Sequence, residues 1–413
     1  MPGPKEPLKL LFVSDVSMTE VIGGAERVLY EQCTRLVKRV HEVHVLTRRL
    51  PSHQTASETL DGVCEWRYSV NRSNGISFFV STLRNGRQLF ESLQNGASFD
   101  VVNFQQPFST YAMIRSRAGR SIPKVYTCLS FAFEEYRSRN RMPAGPVGRM
   151  AYLLNLQMRK HIERRALAAS DRIVVLSRFT AEKLREVYGV PIQQSRIIPG
   201  GADLVKFSPA RSEEDRMAIR RRLGLPEDRF ILLTVRNLVP RMGLDQLLYA
   251  MKHVVREHPE VLLIIGGTGL LRAALTSLVE ASGLESHVRF AGFIPEEGLA
   301  DYYRMADLFA LPTVELEGFG LITPEALACG LPVVGTPVGA TREILGRFDK
   351  NFLFRDATAP SMSEKIIDMV GTFRDNPVLK KENAVRCRNF AERHYSWEKN
   401  VAEIEDVFRG LRG

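Results

Sequence analysis

The sequence predicts an α/β protein with two doubly wound units, each built around a parallel sheet. Short apolar runs alternate with amphipathic helical patterns along all 413 residues. Strands that are apolar along their whole length suit a sheet covered by helices on both faces. The stretch RIIPGGADLVKFSP, at residues 196–209, is rich in Gly and Pro and interrupts the alternation near the middle. Because such a stretch is typical of a linker, one unit is expected on either side of it.

The individual elements follow the same alternation in both halves. The first half begins with the strand pattern KLLFVSDV and the helical pattern GAERVLYEQCTRLVKRV, followed by strand patterns in EVHVLTRR, FDVVNFQQP, KVYTCLS and RIVVLS. The second half has strand patterns in FILLTV, VLLIIGG, HVRFAGF, LFALPT and LPVVGTP. The tail from Asn376 to Gly413 is helical in pattern, so it must pack on a unit already formed. We predict domains at residues 1–204 and 205–387, and a C-terminal helical segment at 388–413.

Composition excludes several classes of protein. Apolar residues make up 44% and charged residues 25% of the chain, which disfavours disorder and fibrous repeats. No run approaches the roughly 18 apolar residues of a membrane span, and Asp15 interrupts the N-terminal apolar run, so we do not expect a cleaved leader. The five cysteines are scattered, which is typical of reduced thiols in a cytosolic protein rather than of a metal site or disulfide framework.

The net charge of +10 is concentrated in the first half. Residues 1–200 hold 29 Lys and Arg against 17 Asp and Glu, and most of that excess lies in residues 101–200, with 17 against 6. A local basic field attracts phosphates, anionic polymers or acidic lipids, although it is also compatible with a solvated basic surface.

Residues 136–165 hold eight Lys and Arg and one acidic residue, Glu163. Their apolar residues fall largely at helical spacing, which predicts a basic amphipathic helix. Its apolar face either covers the N-terminal sheet or lies on an anionic membrane. The apolar positions are Met150, Leu153, Leu154, Leu156, Met158 and Ile162.

Ligands of doubly wound proteins bind at the carboxyl ends of the strands and, in a two-unit protein, between the units. Gly23 and Gly24 follow the first strand and lead into a helix, where free amides could face an anion. A tight strand-to-helix turn is the alternative. The run Gly266–Gly269 is no dinucleotide fingerprint, because its third glycine would fall at Arg272 and because it follows the second strand of its half. No P-loop motif is present.

The densest motif is TVELEGFGLITPEAL, at residues 313–327. Glu317 and Glu325 bracket seven residues, and a Thr-Pro pair between them would open a helix. Amides from Gly320 to Ile322 would then face a diphosphate at the helix start, and Glu325 could accept hydrogen bonds from a ribose diol. The alternative is a pair of solvated glutamates flanking a turn.

The Glu-Gly-Phe-Gly run, with a second glutamate beyond it, resembles the signature of the retaining glycosyltransferases of family 4. GGAERVLYE, LVPRMGLDQLL and HYSWEKNVAEIEDVF also resemble family segments, in the same order along the chain. The resemblance implies the GT-B fold, in which two Rossmann-like domains face each other across a cleft. In that fold the first domain binds the acceptor, the second binds the nucleotide sugar, and the C-terminal helix returns to the first domain.

The resemblance also assigns roles to residues. Glu317 would contact the donor sugar hydroxyls and Glu325 the nucleoside ribose. The amides that would hold the diphosphate and sugar are those of Phe319, Gly320, Leu321 and Ile322. Around them the family pattern places Gly292 and Phe293 along the base, Gly24 near the phosphates, and Gly23 and Ser130 on the acceptor side.

The sequence departs from the family pattern in two respects, at the diphosphate clamp and at a histidine position. Asn237 and Met242 stand where the family usually has an Arg and a Lys that clamp the diphosphate. Arg236 and Arg241, each one residue earlier, keep the spacing and could supply both charges. Leu129 replaces a usual His, which leaves Ser130 as the nearest polar side chain. We therefore predict Glu317, Arg236 and Arg241 as the catalytic groups.

The expected activity is the retaining transfer of a hexose from a UDP- or GDP-sugar to a glycan, lipid-linked or small-molecule acceptor. No metal and no cofactor beyond the donor are expected, in line with the absence of an Asp-x-Asp sequence. Nucleic acid is not an expected partner. The protein would be cytoplasmic, either free or peripheral at the cytoplasmic face of a membrane. The alternatives are a catalytically silent relative that binds nucleotide sugars and an epimerase on the same fold.

Overall fold

The computed structural model describes residues 6–20 and 23–412. The chain divides into two compact units, Met1–Pro199 together with Trp397–Gly413, and Gly200–Ser396. Each unit is an α/β fold with its own largely parallel sheet, as predicted.

The unit boundaries differ from the predicted ones at 204/205 and 387/388. The backbone N–H of Ala202 donates to the carbonyl of Tyr395 (2.7 Å), and Arg388 donates to the carbonyls of Leu204 and Phe207 (3.0 and 2.7 Å). These hydrogen bonds join residues 200–207 to residues 388–395, and both segments belong to the second unit. The observed division after Pro199 falls within the predicted linker at 196–209, and the C-terminal segment that belongs to the first unit begins at Trp397 rather than at residue 388.

The first unit has an eight-stranded sheet within its described residues, in the order β3-β4-β2-β1-β5-β6-β7-β8. All neighbouring strands are parallel except β3 and β4. The strands are β1 (Lys9–Val13), β2 (Glu42–Arg48), β3 (Ser57–Leu60), β4 (Val63–Tyr68), β5 (Val101–Phe104), β6 (Lys124–Cys128), β7 (Arg172–Val175) and β8 (Ser195–Ile197). The hairpin β3–β4 and the short β8, at the start of the expected linker, were not predicted.

Helices cover both faces of this sheet. They are α1 (Gly24–Lys38), α2 (Gly75–Ala97), α3 (Pro107–Met113), α4 (Ala118–Ser121), α5 (Ala132–Arg139), α6 (Pro146–Ala168) and α7 (Arg178–Tyr188). Local sequence sets the ends of α7: the Ser177 side chain accepts from the Thr180 N–H, and Gly189 follows the last turn with φ +74°. A hydroxyl cap at the start and a left-handed glycine at the end are common helix boundaries.

The second unit has a five-stranded parallel sheet, in the order β11-β10-β9-β12-β13. Its strands coincide with the five predicted ones: β9 (Phe230–Val235), β10 (Val261–Gly266), β11 (Val288–Gly292), β12 (Leu308–Leu311) and β13 (Val333–Gly335). Its helices are α8 (Glu213–Arg222), α9 (Leu244–Glu257), α10 (Arg272–Ala281), α11 (Leu299–Met305), α12 (Ile322–Ala328), α13 (Ala340–Phe348), α14 (Ala359–Asp375) and α15 (Pro377–His394).

The last helix, α16 (Trp397–Arg412), belongs to the first unit. Along β1, Leu11 and Val13 face one hydrophobic core, and Leu10 and Phe12 face another on the opposite side of the sheet. Helix α16 supplies Val401, Ile404 and Phe408 to the second of these cores, and the rings of Phe12 and Phe408 meet edge to face at 6.0 Å. Helix α16 is therefore part of the hydrophobic core of the first unit.

Asp307, just before β12, is the anchor of a buried ion cluster in the second unit. Its carboxylate accepts from Arg216 and Arg220 of α8 (2.7 Å each) and from Lys380 of α15, and it also accepts from the N–H of Ile231 (2.7 Å). Burial acts to raise the pKa of Asp307, but Lys380, Arg216 and Arg220 outweigh it and hold that pKa well below its usual range. The cluster fastens α8 and α15 to the sheet.

Replacing Asp307 with asparagine should lower the free energy of unfolding by about 3–5 kcal/mol, because Arg220 is left buried without its counter-charge. Since the folded-state pKa is depressed, this stabilisation is present above the unfolded pKa of about 4 and is lost as the pH falls toward the folded value. Urea unfolding at a series of pH values measures both effects. Asp368→Asn is the matched control, because that carboxylate is 61% exposed and its pair with Lys365 should contribute little. Equal effects of the two variants would contradict the prediction.

Candidate functional site

The order of the second sheet reverses between β9 and β12, and the carboxyl ends of these two strands define where a ligand binds in such a fold. β9 runs into Arg236 and β12 runs through Pro312 into Thr313. The Nη2 of Arg236 donates to the Thr313 hydroxyl and to Glu317 Oε2, and the Thr313 hydroxyl lies 3.2 Å from the same carboxylate oxygen. The structure thus joins two predicted residues, Arg236 and Glu317, through a third, Thr313.

Arg236 and Asn237 are the two candidate positions for the arginine of the predicted diphosphate clamp, and they differ in burial. The Arg236 side chain is buried beside Glu317, whereas Asn237 is exposed. Within the described residues, the Nε of Arg236 is buried and has no hydrogen-bond partner. A buried N–H without a partner costs free energy, because its hydrogen bond to water is lost. A ligand acceptor that enters the site could form that hydrogen bond.

The loop that carries Glu317 is held from both sides. The preceding residue, Leu316, has φ +58°, a left-handed conformation that is uncommon for a leucine. Its carbonyl accepts from Arg241 Nη1 (2.9 Å), and the carbonyl of Glu317 accepts from the N–H of Ala340 at the start of α13 (2.9 Å). The carboxylate is therefore presented by a backbone that other elements fix.

Arg241 and Met242 lie in a short 3-10 helix after β9 and point in different directions. The Met242 side chain belongs to the hydrophobic core of the unit. Arg241 is half-buried, and its carbonyl accepts from the N–H groups of Val314 and Glu315 (2.9 and 3.3 Å). Of the two positions, residue 241 is thus the one that lies against the Glu317 loop. Its role toward a diphosphate stays a prediction.

The glycines after β10 shape the same site. Gly267 has φ +116°, and a Cβ there would lie 2.0 Å from the carbonyl oxygen of Arg236. The N–H of Arg236 donates to Gly266 O, and that of Leu238 donates to Thr268 O (2.9 Å each). The glycine run that resembled a dinucleotide fingerprint therefore serves close packing against the Arg236 loop.

The start of α12 lies beside Glu317. Gly320 has φ +76°, and a Cβ there would come within 3.1 Å of the Glu317 carboxyl group. The side chains of Phe319 and Leu321 are buried, so these residues can offer a ligand only their backbone. Among the residues that the structure describes, the amides of Phe319, Gly320, Leu321 and Ile322 donate no hydrogen bond to the protein. Their predicted contact with a diphosphate stays a prediction.

Glu325 differs from Glu317 in its surroundings. Its side chain, on α12, is 0% exposed, and Oε2 accepts from the Tyr303 hydroxyl of α11 (3.1 Å). Tyr303 was not predicted, since its partner is set by how α11 packs rather than by the motif. The ribose role of Glu325 stays a prediction, and a ligand would have to reach a carboxylate that is now shielded from solvent.

Gly292 and Phe293 follow β11. The carbonyl of Gly292 accepts from the N–H of Gly267 (2.6 Å), which connects this strand end to the Arg236 loop. The Phe293 side chain is 60% exposed. An exposed ring at a strand end can pack against the flat face of a base, as predicted for this pair.

The first unit holds the remaining predicted residues. Gly23 is the N-cap of α1 and Gly24 is its exposed first residue, while Val21 and Ile22 of the same motif lie outside the described residues. Ser130 is exposed just beyond β6, and Leu129 is half-buried.

Glu26 lies in the first turn of α1. Burial raises its pKa, against the opposing effect of the Glu26 and Gly23 amides and of Arg139. Glu26 was not among the predicted site residues, although it lies two residues after the glycine pair.

Among residues 6–20 and 23–412, no group of three His, Cys, Asp or Glu side chains could hold a metal ion. In the same part of the chain, none of the helices is both long and apolar enough to span a bilayer.

Comparison with known proteins identifies the family. The model for Glycosyltransferase Family 4 matches residues 22–206, and the model for Glycosyl transferases group 1 matches residues 215–381. A D-inositol 3-phosphate glycosyltransferase of Kineococcus radiotolerans is 30% identical over 336 residues, which cover 78% of this chain and 74% of the relative. The chain belongs to glycosyltransferase family 4. The family resemblance in the sequence is thereby confirmed.

Other members share shorter stretches with this family 4 chain. A D-inositol 3-phosphate glycosyltransferase of Xylanimonas cellulosilytica is 32% identical over 60% of this chain and 58% of its own length. A GDP-mannose-dependent monoacylated alpha-(1-6)-phosphatidylinositol monomannoside mannosyltransferase of Corynebacterium glutamicum is 28% identical over 55% and 59%. The chain thus spans less than two thirds of the length of these two relatives.

A solved structure supports the fold. Sucrose-phosphate synthase from Thermosynechococcus elongatus superposes with a TM-score of 0.78 at 20% identity, over 98% of this chain and 99% of that one. The GT-B fold, with its two Rossmann-like domains, is confirmed.

Proposed function

We propose that this chain is a retaining, metal-independent glycosyltransferase that moves a hexose from a UDP- or GDP-sugar to a hydroxyl acceptor. The observation that carries the proposal is the buried group of Arg236, Thr313 and Glu317 at the reversal point of the second sheet. A carboxylate held by an arginine suits the recognition of sugar hydroxyls, and the arginine adds positive charge where a diphosphate departs.

The reaction breaks the bond between the sugar C1 and the diphosphate oxygen and forms one between C1 and the acceptor oxygen. The acceptor loses its proton, and the family resemblance implies that the departing phosphate oxygen takes it. Glu317 accepts hydrogen bonds from the sugar while Arg236 fixes its carboxylate. Arg236 and Arg241 stabilise the negative charge that develops on the leaving group, and we propose that no cofactor is needed beyond the nucleotide-sugar donor.

The names of the relatives support a phosphorylated polyol as the acceptor. Two act on D-inositol 3-phosphate by name, and a third on a phosphatidylinositol mannoside with GDP-mannose as the donor. We therefore propose an inositol phosphate or a lipid that carries one as the acceptor class, with the protein cytoplasmic. Leu129 and Met242 keep a silent, nucleotide-sugar-binding relative as the alternative, and isomerised free donor would indicate an epimerase.

A thermal-shift panel of UDP, GDP, ADP and dTDP tests whether the chain binds a nucleotide, because a ligand that binds the native state raises its stability. We expect a shift with UDP or GDP. Glu325→Ala should reduce that shift, as lost hydrogen bonds to a charged group cost about 1–3 kcal/mol of binding. Tyr303→Phe, which keeps the carboxylate, is the control. No shift with any nucleotide would contradict both the transferase and the silent-relative proposals.

Arg241→Ala should reduce turnover of the sugar nucleotide by about tenfold or more, because it removes a charged donor near the leaving group. Its effect on unfolding should be about 1 kcal/mol, the cost of one hydrogen bond to Leu316. Arg241→Lys should restore part of the activity, since it keeps the charge but loses the forked geometry. Arg256→Ala, on the exposed last turn of α9, is the control. Full activity of Arg241→Ala would show that the clamp is not at this position.

A further inference from the structure

Helix α6 carries apolar side chains on two opposite faces. One face is buried against the first unit and includes Tyr152, Ile162, Ala166 and Leu167. The opposite face, which we call the α6 outer face, is exposed. It consists of Val147 (82% exposed), Met150 (65%), Leu153 (46%), Leu154 (64%) and Met158 (38%).

This arrangement corrects the prediction of a single apolar face. Of the six apolar positions in that prediction, Leu156 and Ile162 pack inward, whereas Met150, Leu153, Leu154 and Met158 point outward. A surface helix normally has one apolar stripe, and a helix that is apolar all round is normally buried. A group of exposed apolar side chains on one face of such a helix is typical of a surface that binds a protein, a membrane or a ligand.

The inner face of α6, opposite the α6 outer face, packs against α3 and α5. The guanidinium of Arg159 lies 4.9 Å from the centre of the Phe108 ring of α3 and 4.5 Å from that of the Tyr136 ring of α5. The Tyr136 ring in turn lies 5.4 Å from the ring of Tyr152, on the inner side of α6. Since these contacts fix the inner face, the outer face is presented by a packed helix.

The exposed charges of residues 136–165, the segment that contains the α6 outer face, are all positive. Arg141 and Arg149 are exposed at its start, and Arg164 and Arg165 are exposed beyond its end. Across 136–165, all of which the structure describes, the one acidic side chain is Glu163, which is buried. Burial raises the pKa of Glu163 to about 7. The exposed surface of this segment therefore lacks acidic groups that would offset its arginines.

We propose that the α6 outer face docks on an anionic lipid surface. Its apolar side chains would enter the boundary between headgroups and acyl chains, and the arginines at its two ends would meet the lipid phosphates. Partition of an apolar helix face and attraction of each basic residue add to one another at such a surface.

The charge and the aliphatic side chains of the α6 outer face favour a bilayer over a second copy of this chain and over nucleic acid. Two copies of this chain, paired through the same patch, would bring arginines against arginines, because a twofold contact repeats each surface on both sides. The exposed side chains of the patch are aliphatic, whereas single-stranded nucleic acid is bound through exposed aromatic rings and a basic groove. A bilayer with acidic lipids is apolar inside and negative at its surface, so it matches both the apolar side chains and the arginines of this segment.

The proposal concerns a surface of the first unit and does not depend on catalysis. If the proposed acceptor is a lipid, docking would bring the unit that the family assigns to the acceptor to the membrane that contains it. Soluble inositol phosphate as the acceptor would leave the docking proposal unaffected.

Co-sedimentation of the full chain with vesicles tests the proposal. One set contains phosphatidylcholine alone and the other also contains phosphatidylglycerol, each at low and at physiological salt. We expect binding to the anionic vesicles, weakened by salt, and about tenfold less binding to the neutral ones. Met150→Ser with Leu154→Ser, and separately Arg141→Gln with Arg149→Gln, should each reduce binding to anionic vesicles by about tenfold or more.

The control is Val378→Ser with Val385→Ser, which removes apolar side chains that are 65% and 59% exposed in the second unit. It should bind vesicles like the unchanged protein. Every variant should keep its melting temperature and its nucleotide-induced thermal shift, which separates docking from the proposed activity. Absent binding, equal binding to both vesicle types, or equal loss in the control would overturn the proposal. So would a dimer in solution that the Met150 and Leu154 changes dissociate without affecting vesicle binding.

Discussion

Replacing Arg236 with alanine should lower turnover of the sugar nucleotide by about 10²–10³-fold, because in the proposed mechanism it removes a preorganised charge that stabilises the leaving group. It should also lower the free energy of unfolding by about 3 kcal/mol, since Glu317 is left in a buried site without its cationic partner. Steady-state release of nucleotide and urea unfolding measure the two effects.

A second variant separates catalysis from stability in this experiment. Arg236→Ala with Glu317→Gln removes both charges, so no orphaned carboxylate remains and much of the lost stability should return. Turnover should fall below that of Glu317→Gln alone, because the positive charge proposed to stabilise the leaving group is absent as well. Turnover equal to that of Glu317→Gln alone would mean that Arg236 acts only by holding Glu317 in place.

Replacing Glu317 with glutamine should lower turnover by about 10²-fold while the unit stays folded. Glutamine has nearly the same shape and can still accept from Arg236 through its carbonyl oxygen, but it loses the negative charge that strengthens hydrogen bonds to sugar hydroxyls. The loss should appear in kcat as well as in KM if the contact tightens in the transition state.

Glu315→Gln is the matched control for Glu317→Gln, because Glu315 is an exposed carboxylate in the same loop. It should leave turnover within a factor of about two, as expected of an exposed surface change. Similar losses in the two variants would show that the loop charge matters in general and that Glu317 holds no special position.

Strongly apolar strands were the most predictable part of this protein. Four strands of the second unit, β9, β10, β12 and β13, follow from their runs of buried residues, since a strand covered on both faces has a strongly apolar composition. The fifth, β11, lies at the sheet edge and has a single buried residue, Val288. The hairpin of β3 and β4 was missed because these strands are partly exposed and mixed in polarity. Its turn did leave a signal, Asp61-Gly62, with φ +48° and +81°, a pair that favours tight hairpins.

The residues of the candidate site were predictable where a motif contains them and not where tertiary packing brings them together, and their roles toward a ligand stay predictions. Glu317 came from the motif, and Arg236 from spacing within a loop. Thr313 was missed, although it is the first polar residue after the apolar strand β12, and that position alone could have indicated it. The burial of Glu325 against Tyr303 depends on how α11 packs, which no local pattern records. The same holds for α6, whose sequence shows apolar residues but not which of them the rest of the unit covers.

The most direct test of the central claim is the product formed from a UDP- or GDP-hexose and an inositol phosphate, or vesicles that contain phosphatidylinositol, in the presence of a metal chelator. Nuclear magnetic resonance then reads the configuration at the anomeric carbon. The account predicts a glycoside with the donor's configuration, formed together with the nucleoside diphosphate, and little product with Arg236→Ala. An inverted product, a requirement for metal, an isomerised free donor, or nucleotide binding without any transfer would contradict it.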